Sequence, residues 1–410
     1  MPKLKEVIIS ITNRCNLKCK MCDIPYEKKE ELTAAHWKRV IKDASFIGAE
    51  TIVFSGGEPL LREDIFDLVS FVKNNRMKVC LTSNGCLIDK DVASRLAYLK
   101  VDVVNISVEG LKETHDYLRG ENTFDRAVSA LENLKKCGIE STIATVVSRY
   151  NYVELPYIVK LAAKYGATTI RFQPFSKIFV EDKKKEGSFF IDREDKKKLQ
   201  GIAEELIEFT NRCGISTNPA SYLRAIPSYL SGKSIIPHDS CSALWSSCSI
   251  NVTGEIFPCW AIGDAQKQIG NVQKDSLREL WDSPRHNQIR ESIAKEGCPG
   301  CMMSCYDEVF GRDGKTHRIL FKLNKIRITP WKRLITKFIY RLRNTANQIE
   351  SRYRFYKSYH GPLRNIFNRV LKNARKRRAA ARNINIDNNI DKALEKIRLL
   401  EKAIKKELKL

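Results

Sequence analysis

Apolar residues in the first 175 positions alternate between two spacings. Short β-branched runs at 7–11, 51–54, 78–82, 101–108, 141–147 and 168–173 read as strands. Between them, residues 33–47, 65–72, 90–99, 123–136 and 153–165 repeat apolar positions at helical spacing, with Thr33 placed as an N-cap and Gly138 and Gly166 placed to stop helices. Six strands alternating with helices predict right-handed βαβ units and a parallel α/β sheet. In such sheets ligands gather at the C-terminal ends of the strands.

Beyond this region the pattern changes. Residues 181–193 are highly charged, 194–211 are helical, and the stretch with Pro219, Pro227 and Pro237 reads as a linker. A second module runs from Cys241 to Tyr306. Within it, 248–259 reads as two short strands around Thr253-Gly254. The expected domains are 1–235, 236–315 and a helical extension, 316–410.

The formal net charge is +24, of which +17 lies in the last 80 residues, so any partner implied by charge belongs to the tail. There Trp331, Leu334, Ile335, Phe338 and Leu342 recur at helical spacing among lysines and arginines, Leu363 to Leu371 repeat the pattern, and Ile390 to Leu408 form a last amphipathic stretch. A basic amphipathic helix suits an anionic membrane surface. Packing on the body or coiling is the alternative, and aromatics grouped on one face disfavour nucleic acid. No apolar run is long enough to span a bilayer and no signal peptide is evident, so the expected location is cytoplasmic, and peripheral at the membrane where the tail meets such a surface.

Thirteen cysteines in such a chain point to metal or catalysis rather than disulfides. Cys80, Cys86, Cys137 and Cys213 are scattered and read as small buried hydrophobes. Cys15, Cys19 and Cys22 share one short loop directly after the first strand, spaced Cys-x3-Cys-x2-Cys. Three thiolates there can hold three irons of a cubane and leave the fourth open to an external ligand. Structural zinc wants a second ligand pair, which is missing. A non-catalytic zinc-binding interaction protein is the alternative this leaves.

This loop resembles the signature of the radical S-adenosylmethionine (SAM) enzymes, with Met21 where an aromatic residue is usual. The resemblance covers about residues 5–235 and extends to Gly56-Gly57-Glu58-Pro59 after strand two, Ser83-Asn84 after strand three, Ser107 and Glu109 at strand four, and Arg119. It implies a partial (β/α)6 barrel. The Gly-Gly-Glu-Pro stretch would meet the SAM amino group, Ser83-Asn84 would lie near the ribose, Ser107 and Glu109 would face the site, and Arg119 would pair with the SAM carboxylate. It also implies reductive cleavage of SAM at a [4Fe–4S] cluster, a 5′-deoxyadenosyl radical, hydrogen-atom abstraction from a substrate, and an electron donor such as flavodoxin or ferredoxin.

The second module resembles the SPASM/twitch domain that follows many of these enzymes. It implies an auxiliary [4Fe–4S] cluster on Cys241, Cys259, Cys298 and Cys301, with Cys248 and Cys305 as alternates. Zinc on Cys259, Cys298, Cys301 and Cys305 is the competing reading, because the two kinds of site share cysteine geometry. With strand one beginning near residue 7, neither a leader-gripping winged domain nor a cobalamin domain is expected ahead of it. The family suggests a peptide or protein maturase, or an enzyme acting on a membrane-linked sugar or lipid. No residue selects among oxidation, cross-linking, epimerisation and rearrangement.

Overall fold

The computed structural model describes residues 4–176, 180, 187–232, 243–262, 265–296 and 301–303. All of them belong to one compact unit, Met1–Lys325. Residues 1–3, Cys241, Cys298, Cys305 and the entire basic tail lie outside the described residues, as do residues 181–186 of the charged stretch.

Six strands form in chain order: β1 (Glu6–Thr12), β2 (Thr51–Gly56), β3 (Lys78–Ser83), β4 (Val103–Ser107), β5 (Glu140–Val147) and β6 (Thr169–Pro174). Each pairs in parallel with the strand next in sequence. The helices between them are α1 (Ala34–Ile47), α2 (Ile65–Asn74), α3 (Lys90–Tyr98), α4 (Lys112–Arg119), α5 (Thr123–Lys136) and α6 (Leu155–Tyr165). Alternation along the strands assigns their two faces. Val7, Ile9, Ile52, Phe54, Val79, Leu81, Val104, Ile106, Ile143, Ile170 and Phe172 are completely buried. The residues between them, such as Glu6, Cys80, Asn105, Thr142 and Arg171, line a common cavity instead. The sheet is therefore curled into the expected partial barrel, with an apolar outer face under the helices and a polar inner one.

The strand predictions match to within a residue or two at most ends. Thr33 does occupy the N-cap of α1, but its hydroxyl bonds the His36 ring (2.8 Å) rather than a backbone amide. The first unforeseen α-helix is α4, whose positions are mostly polar.

After β6 come α7 (Arg193–Cys213), capped by the Asp192 carboxylate, and α8 (Ala220–Leu230). The expected linker is thus helical over 220–230, in spite of Pro227. Burial of Tyr222, Leu223, Ile226 and Leu230 on one face outweighs the lost backbone hydrogen bond.

The second module contributes β7 (Ser247–Ile250), β8 (Glu255–Phe257) and β9 (Gly270–Asn271). The expected hairpin is present, since β8 is antiparallel to β7. What periodicity did not reveal is that β7 also pairs in parallel with β1 (Val7 opposite Cys248), so both modules share one nine-stranded sheet, ordered β6-β5-β4-β3-β2-β1-β7-β8-β9. Two short helices, α9 (Leu277–Leu280) and α10 (Pro284–Glu296), follow. Among the described residues no helix is long and apolar enough to cross a membrane.

Candidate active site

The cysteine loop leaves β1 at a register irregularity between Ser10 and Thr12. The Thr12 hydroxyl donates to Glu31 and accepts from the Arg14 amide (3.0 Å), while the Asn13 amide donates to Glu31 (3.2 Å). Arg62, nearly wholly buried, donates to the Ile11 and Leu32 carbonyls (3.1 and 3.2 Å) and forks onto Asp64 (2.8 and 2.7 Å). Bidentate geometry of this kind fixes orientation as well as energy. Glu31 and Arg62 hold the root of the loop, and the sequence reading did not find them. Their burial arises from contacts about twenty to fifty residues apart, which no local pattern signals.

The glycine stretch is joined directly to this loop. The Gly57 amide donates to the Thr12 carbonyl (2.7 Å) and the Glu58 amide to that of Arg14 (2.8 Å). Gly56 has φ +117°, and a Cβ there would collide with the Thr12 carbonyl oxygen; a Cβ on Gly57 would collide with that of Arg14. Only glycine allows backbones to come this close.

Glu58 is fully enclosed. Its carboxylate accepts from the Ser83 hydroxyl (2.9 Å), the Asn84 amide (2.8 Å) and the Leu60 amide (3.3 Å). Burial nevertheless raises its pKa to about 7, opposed by those hydrogen bonds. The Asn84 side chain reaches Asn16 Oδ1 (2.8 Å) and Cys15 Sγ (3.8 Å), tying the end of β3 to the loop. Pro59 is buried at the start of the 3-10 turn Pro59–Leu61.

Arg119 ends α4. Its Nε and Nη2 donate to Glu109 Oε1 (2.8 and 2.5 Å), and Nη1 points at Cys19 Sγ (3.8 Å). Glu109 is completely buried, accepts also from the Val146 amide (2.7 Å), and is backed by His115 and Asn151 through its backbone. The arginine foreseen as a ligand for a carboxylate is thus already engaged by one from the protein.

These elements enclose a cavity of about 600 Å³. Cys15, Cys19 and Cys22 lie on its wall with Gly56 and Gly57, as do Ser83, Asn84, Ser107 and Arg119. Glu58, Pro59 and Glu109 stand behind that wall and brace it. Trp260 and Met303 of the second module also line it, as do Arg171 and Gln173 of β6; none of these four was foreseen. Polar residues at every second position of otherwise apolar strands were the signal that could have found the β6 pair.

Burial raises the pKa of all three loop thiols, that of Cys22 to about 11. Among the described residues no three His, Cys, Asp or Glu side chains converge as on a single ion. The fit to a cluster rests instead on three soft sulfur donors on one loop, facing a cavity large enough for a cofactor beside them. Of the second cysteine set, Cys259 is buried just after β8 and Cys301 is half-buried. Cys248 is completely buried within β7, opposite Val7, and burial pushes its thiol up to about 12. It packs as a core residue.

Residues 9–162 match the family model described as the radical SAM superfamily, and residues 241–306 that of the SPASM iron–sulfur cluster-binding domain. The Fe-coproporphyrin III synthase of Methanosarcina barkeri is 31% identical over 228 residues, 52% of this chain and 57% of that protein, so the match spans little over half of that relative. The mycofactocin maturase MftC of Mycolicibacterium smegmatis is 30% identical over 304 residues, 71% of this chain and 74% of the relative. In fold, the chain is similar to Streptococcus suis SuiB bound to S-adenosylmethionine, with a TM-score of 0.58, 20% identity, and coverage of 76% and 75% of the two chains.

Proposed function

The chain belongs to the radical SAM superfamily, with a C-terminal SPASM module, and from that premise we propose that it is a peptide or protein maturase. It is a radical SAM enzyme whose cofactors are a [4Fe–4S] cluster with SAM and auxiliary iron–sulfur centres in the SPASM module. Cluster and SAM together supply one-electron reductive cleavage and, through it, hydrogen-atom abstraction. Cys15, Cys19 and Cys22 hold the catalytic cluster in this reading. Cys241, Cys259, Cys298 and Cys301 hold the auxiliary one, across domains bounded at 1–235, 236–315 and 316–410.

The remaining residues take the following roles in this reading. Gly56 and Gly57 bring backbone against the cluster loop. Glu58, held behind the wall by Ser83 and Asn84, adds negative charge near the expected SAM ammonium without facing the cavity. Ser107 offers a hydroxyl on the cavity wall. Arg119, with Glu109, places a guanidinium against Cys19, next to the expected SAM carboxylate.

The observation that carries the maturase reading is the extent of similarity to MftC, a maturase by name, across both modules. The solved complex of SuiB with its precursor peptide SuiA supports a peptide as the kind of substrate. A second reading, tetrapyrrole chemistry, is favoured by the coproporphyrin and heme synthases among the relatives.

The test is release of 5′-deoxyadenosine by the reconstituted, reduced protein. Stimulation by a mixed peptide pool and not by iron coproporphyrin III is expected. Stimulation by the porphyrin alone would transfer the assignment to the second reading, and no release under any condition would end both.

A further inference from the structure

Two guanidinium groups lie on the cavity wall, Arg119 and Arg171. Arg119 is neutralised by Glu109 at 2.5 Å. Arg171 has no such partner: it is partly buried, and its side chain makes no hydrogen bond or ion pair among the described residues. It stands in the middle of β6, opposite Ala144, which is itself opposite Ser107, so it is level with the C-terminal end of β4.

The acidic residues on the same wall do not answer its charge. Glu140 is four residues before Ala144 on β5, roughly 13 Å along the strand, and accepts from the Thr168 hydroxyl (3.2 Å). Glu6 already has an interaction of its own. A guanidinium cannot lose its proton under ordinary conditions. Water can solvate it while the cavity is open, but a ligand that displaces this water must bring an anion or leave a charge uncompensated.

We propose that Arg171 is a specificity-determining residue that anchors a carboxylate of the substrate. This rests on the reading of the chain as a SAM-dependent enzyme whose substrate shares the cavity. A planar fork selects a carboxylate over an amide or hydroxyl, because it can give two parallel hydrogen bonds as well as charge. Gln173, on the same face two residues further, places an amide beside it. A peptide carboxylate and a tetrapyrrole propionate present the same group.

The test is the rate at which phenylglyoxal modifies Arg171 in the full-length reconstituted protein, read by peptide mass spectrometry, with Arg171→Gln identifying the signal. Arg171 should react in the SAM-loaded protein, and glutarate should slow the reaction by about tenfold while glutaramide at equal concentration does not. No reaction before SAM is added would overturn the proposal, since the guanidinium would then not face open space. Loss of reaction on adding SAM alone would also overturn it, by assigning Arg171 to the cofactor. So would equal protection by both probes, or by neither. Protection by an acidic hexapeptide or by coproporphyrin III, each compared alone, tells which source of carboxylate fits; either sustains the anchor. Failure of the same preparation to cleave SAM would instead remove the enzymatic reading, which this modification rate does not measure.

Discussion

Glu58 joins the glycine stretch to β3, and its environment sets a pH dependence. Its pKa in the folded chain is about 7 against an ordinary 4.5, chiefly because burial disfavours the charge. Between those values the folded state keeps a proton that the unfolded chain has released. Stability therefore falls as pH rises through this window, and the whole penalty is present above about 7. In the cluster-free protein, Glu58→Gln should gain melting temperature relative to wild type between about pH 5 and about pH 8. A difference that stays flat with pH would contradict this. Gly57 sets a steric condition next to it. Gly57→Ala should cost roughly 1–3 kcal/mol in urea unfolding and reduce iron uptake, because the added methyl pushes on the Arg14 carbonyl that anchors the cysteine loop. Unchanged iron content would show that the loop tolerates displacement.

At the scale of elements, the two modules are tied by more than the β1–β7 pairing. Asp43, buried on α1, accepts from the Leu277 amide (3.1 Å) and from Arg278 Nε (2.7 Å) at the start of α9. Arg39, also on α1, donates to the Val272 and Gln273 carbonyls. Asp43→Ala strands a buried amide and frees one end of the second module, so a loss of about 2 kcal/mol is expected in urea unfolding. If the modules unfold separately instead, a second transition will appear in the variant. Tyr222 on α8 makes a third tie, donating to the Met302 carbonyl (2.5 Å) beside the cavity-lining Met303. These ties bring Trp260 and Met303 to the mouth of a barrel built by other strands.

For the molecule as a whole, the expected outcome is two separable iron populations. Replacing Cys15, Cys19 and Cys22 together by alanine should lower the iron content of the anaerobically purified protein from about eight to about four per chain and abolish SAM cleavage. Zinc with little iron in both proteins would leave a cysteine-rich binding protein. Iron lost entirely from the variant would mean that the second module cannot hold its centre alone.

Much of this was legible in the sequence for physical reasons. Strand and helix periods are local, so all six parallel strands of the barrel could be read from β-branched runs and turn residues. The cysteine spacing is local too, and so is the glycine pair that must approach it. The sequence also determined that charge is concentrated in the tail, beyond the described residues. Tertiary structure decided what depends on distant chain segments meeting. It made α8 helical through an apolar face that overrides Pro227. It placed β7 beside β1, buried Cys248 in that pairing, and committed Arg119 to Glu109. It also turned Arg62 inward to hold the cysteine loop and left Arg171 facing the cavity without a counter-charge among the described residues. Burial and pairing of this kind are properties of the packed chain, which no local period signals.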